Sequence, residues 1–295
     1  MSIQYNAQHV DEKYKPSLIA NLFYKTFLVP GVTYQDVMSD NNGGWFWHKL
    51  ASTGAAEPGT PGRDFQDEAI SDTLVQCVYN NNYQKSKKIY GVQAAAVAFP
   101  LAEEHMALAT QEVTEGRNLS GLACLITEGT ATKNTEAITK DNFLAEVLAV
   151  RKEVVKAKGT ADVVLCSPDF FATMLEFAGS KYIPTTNEKL LAAAAGGQVG
   201  NFLGMLWIEE NAFAHDAAVN YYDYSGTKKS VTTAQLGAVD FIMYDHNSFG
   251  LGDNFAMARL RDSERFSGSL AQVEENVGMR VLTPSMIRVR KHAAT

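Results

Sequence analysis

The sequence predicts an α+β fold, with helices in the middle of the chain and strands before and after them. The 295 residues are 46% hydrophobic and 20% charged, as in an ordinary globular protein, and suffice for one elaborate domain or two. A long helical period of apolar residues begins after Pro100, and two further helical segments follow it. The last third consists of short apolar or alternating segments separated by Gly, Asn and Pro, which indicates strands.

The first forty residues differ from the start of a compact domain. Pro16–Asp40 contains apolar residues without a clean period, and Pro30 and Gly31 interrupt it. We therefore expect residues 1–40 to form an extended arm that packs on something else. The chain shows no secretory signal, and no stretch approaches the ~20 apolar residues of a membrane span. We expect a protein that is made in the cytoplasm and has no membrane partner.

A region rich in Gly and Pro follows, and it predicts a long loop or hairpin with Trp45, Phe46 and Trp47 near its base. A structureless loop of more than ~15 residues is unusual in a compact domain, unless it lies on a neighbouring subunit. The segment Thr73–Val97 then predicts strand, turn and strand, with the Asn80–Asn82 cluster in the turn. Its lysines would blunt an exposed strand edge. They are Lys85, Lys87 and Lys88.

The first predicted helix extends from Pro100 to about Leu125, or roughly 37 Å at 1.5 Å per residue. Proline in a first helical turn loses no hydrogen bond. The second helix is predicted to have Thr139 as its N-cap and Gly159 at its C-terminal end.

The stretch "VLCSPDFF" predicts a strand followed directly by a third helix. A nucleophile elbow would need Gly-x-Ser-x-Gly, whereas both glycines are missing and Pro168 follows the serine. Ser167 instead suits the N-cap, Pro168 the first helical position, and Asp169 the positive end of the helix. We interpret Ser167 as a cap and Cys166 as an inert packed thiol.

Further along, Thr185 and Glu188 have capping-box spacing and predict a short helix ending near Gly196. The stretch "QVGNFLGMLWIEENAF" predicts strand, tight turn and strand, with Gly200 and Gly204 in the turn region; it lacks the context of a phosphate-binding loop. Four later segments predict strands. They are "AVNYYDYSG", "KSVTTAQL", "AVDFIMYDHN" and "VGMRVLTPSMIRVRK".

The residue types of catalysis and metal binding occur without the required spacing. No two of the six histidines have zincin spacing, and the three cysteines (Cys77, Cys124 and Cys166) show no metal or disulfide pattern. We predict no catalytic residue, no metal and no cofactor. Two weak alternatives stay open: the adjacent residues "EEH" at 103–105, and Asp245 beside His246 at a strand end.

The formal net charge of −7 argues against a general affinity for nucleic acid. A local basic face is still compatible with this charge. The C-terminal stretch "MIRVRKHAAT" carries Arg288, Arg290, Lys291 and His292. Two interpretations stay open for it: a basic binding face, or a solvated basic tail.

The order of elements resembles the major capsid protein of tailed bacteriophages, with the Hong Kong 97 fold. The overlap is clearest from about Thr139 to Phe213: a helix, a strand, "SP" and a helix in "VVLCSPDFFATML", then a Gly-rich turn before a strand in "GGQVGNFLGMLWIEENAF". The end of the chain, "FSGSLAQVEENVGMRVLTPSMIRVRK", is similar to the family's final strands. Each motif is only moderately specific, whereas the order of elements covers most of the chain.

The resemblance implies a division of the chain. Residues 1–40 would be the N-terminal arm and 41–92 the E-loop region, which lies over a neighbouring subunit. Residues 93–135 and 238–295 would form the peripheral (P) domain, with the long spine helix. Residues 136–237 would form the axial (A) domain.

The resemblance also implies a non-enzymatic structural role. The subunit would form pentamers and hexamers of an icosahedral or prolate head shell, which assembles in the bacterial host cytoplasm and encloses packaged double-stranded DNA on its inner face. Portal, separate scaffolding and decoration proteins would be further partners. Two other structural roles compete with it: the subunit of an encapsulin-like compartment, and another virion component. For an enzyme the best candidates would be Ser167, Asp245 and His246.

Overall fold

A computed structural model describes residues 26–35, 38–40, 43–50, 72–96, 101–178, 183–184 and 199–293. The helices are α1 (Gly91–Ala96), α2 (Leu101–Glu128), α3 (Phe143–Lys156), α4 (Pro168–Ala178) and α5 (Thr233–Gly237). The strands are β1 (Met38–Asp40), β2 (Gly44–Leu50), β3 (Asp72–Val78), β4 (Asn81–Tyr90), β5 (Thr130–Ala131), β6 (Val163–Cys166), β7 (Ile183–Pro184), β8 (Val199–Phe202), β9 (Met205–Glu209), β10 (Val219–Tyr222), β11 (Lys228–Val231), β12 (Val239–Tyr244), β13 (Phe249–Asp262), β14 (Gly268–Val281) and β15 (Ile287–Lys291). The predicted α+β class is confirmed.

The long helix α2 packs on a three-stranded antiparallel sheet with the order β13-β14-β4. Ala109 and Val113 of the helix are buried against Val273 of β14. The helix ends at Glu128, three residues beyond the predicted Leu125, so the prediction of one long helix here is confirmed.

The C-terminal half of α2 is buried on all sides, and the segment around Phe27 covers part of it. Gly121 makes this contact possible, because a Cβ there would lie 3.1 Å from a methyl carbon of Leu28. Phe27 is fully buried, and Thr26 donates a 2.7 Å hydrogen bond to Asn118 of the helix. This part of the expected arm therefore packs on its own subunit.

A seven-stranded sheet forms the second layer, with the order β5-β15-β12-β6-β9-β8-β7. Its side chains alternate between two cores, because successive residues of a strand point to opposite faces. In β6, Val163 and Leu165 face the core shared with α2, whereas Val164 and Cys166 face the core beneath α3 and α4. Both faces are covered, which explains why β6 is an unbroken apolar run.

The seven-stranded sheet contains strands from both sides of residue 238, where a domain boundary was expected. β12 pairs antiparallel with β6 through four residues, and β15 pairs with β12 on its other edge. Phe241 and Met243 of β12 complete the core beneath α3 and α4. β12 and β15 therefore belong to the same sheet as the strands within residues 163–209.

The glycine-rich region contains the expected hairpin: β2 and β3 pair antiparallel from Gly44–Val78 to Leu50–Asp72. Trp45 lies at its base, is fully buried, and donates a hydrogen bond from Nε1 to the carbonyl of Gly278 at 3.1 Å. The two strands predicted within Thr73–Val97 exist, but β3 pairs with β2 whereas β4 pairs with β14.

Both predicted ends of the second helix, α3, are wrong. Asn142 is the residue before its first turn, and its Oδ1 accepts a 2.7 Å hydrogen bond from the backbone N–H of Thr139, so that the preceding residues form a turn. At the other end Lys158 adopts the left-handed conformation (φ 66°) rather than Gly159. Gly159 is needed for packing instead, because a Cβ on it would lie 3.1 Å from Cγ of Met286.

The turn between β8 and β9 is confirmed, with Leu203 and Gly204 both at positive φ (55° and 75°); Gly200 belongs to β8. In "KSVTTAQL" only the first part is a strand, since Thr232 and Gln235 form a capping box that starts α5. The strand β13 was not predicted. The helix proposed from Thr185 to Gly196 lies outside the described residues.

Candidate functional site: assembly surfaces

Ser167 and Cys166 have the structural roles that the sequence predicts. Ser167 precedes α4, and its Oγ accepts a hydrogen bond of 3.3 Å from the backbone N–H of Phe170, as an N-cap does. Cys166 is fully buried and its Sγ donates to the carbonyl of Ile208 at 3.3 Å. Burial raises the pKa of the Cys166 thiol well above its ordinary value, which disfavours the nucleophilic thiolate.

Asp162 lies beside Asp245 and His246. This proximity was not predicted from the sequence. Asp162 directly precedes β6 and Asp245 directly follows β12, and these strands pair antiparallel, with Tyr244 opposite Val163. In the sequence, the available signal was an aspartate at the end of each strand. Only the pairing register of β6 and β12 shows that the two aspartates lie close together. Nδ1 of His246 lies within hydrogen-bond distance of Oδ2 of Asp162.

The ligand-type atoms of these three residues lie within 4.8 Å of one another, the spacing of a metal site. Their oxygens, however, accept hydrogen bonds from the backbone. Asp245 accepts from the N–H groups of Thr160 (2.7 Å) and Asn247 (2.9 Å), and Asp162 accepts from that of His246 (3.0 Å). Burial raises the pKa of Asp162 and outweighs the opposing hydrogen bond from His246. The arrangement acts as a set of turn caps that join two strand ends.

The acidic residues beside His105 lie in the first turn of α2. A carboxylate there is favoured by the positive end of the helix, which is a structural reason for Glu103 and Glu104.

In the described part of the C-terminal basic stretch, the two arginines form neither a free basic face nor a solvated tail. Arg290 is fully buried in β15, and its Nη2 lies 3.1 Å from Oε2 of Glu146 and 2.6 Å from the carbonyl of Glu136. Nε of Arg288 lies 3.0 Å from Oε2 of Glu153. Both glutamates belong to α3, so these arginines attach that helix to the seven-stranded sheet.

The lysines of β4 differ in their surroundings. Lys85 and Lys87 form ion pairs with Glu112 of α2 at 3.4 and 2.5 Å. Burial alone would raise the pKa of the Glu112 carboxyl. The hydrogen bonds and positive charges of Lys87 and Lys85 have a larger combined effect, so this pKa lies below its ordinary value. Lys88 is exposed. Lys85 and Lys87 thus attach β4 to α2. Among the described residues β4 is a terminal strand of its sheet, and the blunting of this edge by the lysines stays a prediction.

The base of the β2–β3 hairpin is held by residues from two other parts of the chain, around Tyr224 and Arg280. Arg280 stacks on the ring of Tyr224 with its guanidinium carbon 3.9 Å from the ring centroid, and it donates a hydrogen bond to the carbonyl of Gln76. The N–H of Val78 donates to the carbonyl of Tyr224 at 3.2 Å. The hairpin therefore leaves the body from a fixed base.

Several solved structures share this architecture over nearly the whole chain. One is described as the asymmetric unit of the bacteriophage PhiM1 mature capsid (TM-score 0.63, 13% identity, 96% of this chain and 91% of that chain). A second is the capsid structure of Cyanophage P-SCSP1u (TM-score 0.61, 10% identity, 96% and 94%). A third is the capsid of a native GTA particle (TM-score 0.58, 10% identity, 94% and 93%). The chain has a phage capsid fold.

Sequence comparison alone does not reach this result. No protein-family model matches the chain, and no curated protein matches it. At 10–13% identity, the likeness to the solved structures concerns the fold. The likeness to solved capsid structures confirms the fold that was expected from the resemblance to tailed-phage capsid proteins. The division of the chain into named domains stays a prediction.

The capsid fold leaves large apolar side chains uncovered on the single subunit. Phe255 and Leu260 are 45% and 48% exposed on β13, and Leu148 and Val155 are 43% and 50% exposed on α3. Single exposed apolar residues are common on monomers. Leu148 and Val155 lie two helical turns apart and share one face of α3, which makes this face a candidate contact. Among the described residues, no helix combines the length and apolar character that crossing a membrane requires.

Proposed function

We propose that the chain is a major capsid protein: a subunit that assembles, without catalysing a reaction, into the icosahedral or prolate head shell of a phage. The observation that carries the proposal is the likeness to the PhiM1 capsid structure over 96% of this chain and 91% of that one. Because both chains are covered almost completely, the similarity is not restricted to one module that unrelated proteins could share.

Within this subunit we assign residues 1–40 to the N-terminal arm and 41–92 to the E-loop region. Residues 93–135 belong to the peripheral domain and 136–237 to the axial domain. For residues 238–295, which were expected to lie in the peripheral domain alone, the pairing of the strands supports a division between the two domains. β13 and β14 pair with each other and lie on α2, which supports the peripheral domain. β12 and β15 share the sheet of β6, which supports the axial domain.

The proposed mechanism is assembly through contacts between different faces of identical subunits, which close into rings of five and six. Obligate contacts of this kind typically bury more than ~2,000 Å². The exposed apolar residues of β13 and α3 and the β2–β3 hairpin are the surfaces available for it. Double-stranded DNA on the inner face, with portal, scaffolding and decoration proteins, would be the partners of a shell that assembles in the host cytoplasm.

The decisive experiment is negative-stain electron microscopy of the purified protein, with size-exclusion chromatography alongside. Closed shells, pentamers or hexamers are the expected result. A strictly monomeric, compact species at high protein concentration would overturn the proposal. DNA inside shells recovered from infected or expressing cells would distinguish a genome container from a compartment for protein cargo.

A further inference from the structure

The β2–β3 hairpin is joined to the rest of the subunit by a short connection. β3 ends at Val78 and β4 begins at Asn81, so two residues separate the sheet of the hairpin from the three-stranded sheet. At ~3.3 Å per residue, the seven residues of β2 span roughly 23 Å. A tilt of about 10° at the base would therefore move the far end of β2 by about 4 Å, which is the whole range of a contact between apolar side chains. Small changes at the connection thus have large effects at the far end of the hairpin.

The turn between β10 and β11 holds both ends of this connection. The N–H of Val78, the last residue of β3, donates to the carbonyl of Tyr224 in the turn at 3.2 Å. Asn81, the first residue of β4, donates from Nδ2 to the carbonyl of Tyr222, and its Oδ1 accepts from the N–H of Tyr222, both at 2.9 Å. The side chain of Asn81 thus bonds to the backbone of β10 as a neighbouring strand would.

The turn itself has a defined geometry. Oδ1 of Asp223 accepts hydrogen bonds from the N–H groups of Ser225 and Thr227, each at 2.9 Å, so that the aspartate closes the turn. Gly226 has a φ of 83°, and a Cβ on it would lie 2.2 Å from Nδ2 of Asn80, which belongs to the connection. The glycine therefore allows the turn to lie directly on the connection.

A side chain of the three-stranded sheet completes this contact. The guanidinium carbon of Arg280, in β14, lies 3.9 Å from the centroid of the Tyr224 ring, the arrangement of a cation–π interaction. The same guanidinium donates a hydrogen bond to the carbonyl of Gln76 in β3. Tyr224 therefore contacts β3 directly through its carbonyl, and indirectly through its ring and Arg280.

We infer that the β10–β11 turn positions the β2–β3 hairpin: it fixes the direction in which the hairpin leaves the subunit and, through this direction, the curvature of the shell. The inference rests on the proposed function, which makes the hairpin a contact with a neighbouring subunit. In assemblies of identical subunits, the angle between the contact faces decides whether a ring closes. Because the turn lies within residues 136–237, the axial domain would set the direction of a hairpin that precedes it in the chain.

The test combines Asn81→Ala with Tyr224→Ala, which removes the side-chain contacts of the turn and leaves the hydrogen bonds of Asp223 in place. Circular dichroism should show a folded subunit. Two variants serve as matched controls. Asn82→Ala changes the same residue type one position later, where Nδ2 donates to Glu274 at 3.0 Å and not to the turn. Tyr224→Phe keeps the aromatic ring over Arg280. Both controls should behave as the wild type does.

The direction of the hairpin can be measured as the distance between two spin labels in the unassembled subunit. Thr73→Cys places one label on β3 and Ala107→Cys places the other on α2, and both positions are exposed. The three native cysteines are buried and should react little with the label. We expect one narrow distance distribution with the wild-type turn and with each control, and a distribution at least twice as wide in the double variant. A broad distribution with the wild-type turn, or an unchanged one in the double variant, would overturn the inference.

Electron microscopy of assembled particles tests the consequence for the shell. The double variant should form open or irregular particles whose diameters spread at least twice as widely as those of the wild type, whereas both controls should keep the wild-type diameter. Particles of wild-type diameter from the double variant would refute the link between the turn and curvature and leave the proposed function intact. A wild type that forms no oligomer would overturn the proposed function, whereas the distances within the subunit would still decide whether the turn positions the hairpin.

Discussion

Glu146 and Glu153 lie two turns apart on α3, and each binds an arginine of β15. They provide a matched pair of substitutions, Glu146→Gln and Glu153→Gln, with the same change of charge and nearly the same shape. The environments differ. Arg290 is 0% and Glu146 15% exposed, whereas Arg288 is 14% and Glu153 44% exposed. The exposure of the partners should therefore decide the effect of each substitution.

Glu146→Gln removes the negative charge opposite the buried guanidinium of Arg290 and leaves it neutral direct partners, namely the amide oxygen at position 146 and the carbonyls of Glu136 and Lys291. Breaking a buried ion pair by removing one partner typically lowers the free energy of unfolding by about 3–5 kcal/mol. We expect the lower end, about 3 kcal/mol, because the carbonyls remain. For the half-exposed pair of Glu153, solvent screening limits the expected loss to about 0–1 kcal/mol.

The assay is urea unfolding of the unassembled subunit, followed by circular dichroism. With a denaturant dependence of about 3 kcal/mol per M, Glu146→Gln should lower the midpoint by about 1 M and Glu153→Gln by less than about 0.3 M. Equal midpoints for the two variants would refute the reasoning. Arg290→Met with undiminished stability but reduced DNA binding would instead restore the interpretation of the C-terminal stretch as a basic binding face.

Three further predictions concern the cap, a buried acid and the hairpin. Ser167→Ala should lower the free energy of unfolding by about 1 kcal/mol, measured by urea unfolding, while assembly is retained; loss of assembly with an unchanged fold would contradict a capping role. Burial raises the pKa of Glu128 above its ordinary value of 4.5 despite the hydrogen bond from the N–H of Val281, so the native state binds this proton more tightly than the unfolded state does. Stability associated with this group therefore decreases as the pH rises from 4.5 through the raised pKa, and Glu128→Gln should raise the melting temperature at pH 7 but have little effect at pH 4.5. Deletion of residues 51–63 should leave a folded subunit by circular dichroism and prevent closed shells in the electron microscope, and normal shells would remove the E-loop assignment.

Local signals in the sequence were sufficient for several elements. The long α2 follows from its apolar period, the start of α4 from the Ser-Pro-Asp cap, and the β8–β9 turn from the glycine between two apolar runs. Each of these signals lies within a few residues of the feature that it predicts. The apolar run Phe241–Tyr244 of β12 likewise reflects two cores on opposite faces of one sheet.

Features that depend on distant partners could not be predicted in this way. The exposed half of β13 carries no apolar alternation, because neither of its faces is buried in the subunit. Arg288 and Arg290 resembled a free basic stretch because Glu146 and Glu153 lie more than a hundred residues earlier in the chain. Asp162 and His246 meet only through the register of β6 and β12. In each case the position of the partner, and not the residue type, determines the role.

The position of β15 in the seven-stranded sheet bears on the order of events during synthesis. This strand follows β6 and β12 in the chain, is inserted between β5 and β12, and carries the arginines that attach α3. At roughly 5–20 residues per second, a ribosome needs about 6–26 s to add the residues from β6 to β15, and the sheet stays incomplete for that time. A nascent chain that has not reached β15 therefore leaves one edge of β12 unpaired and α3 without its arginine partners on the sheet.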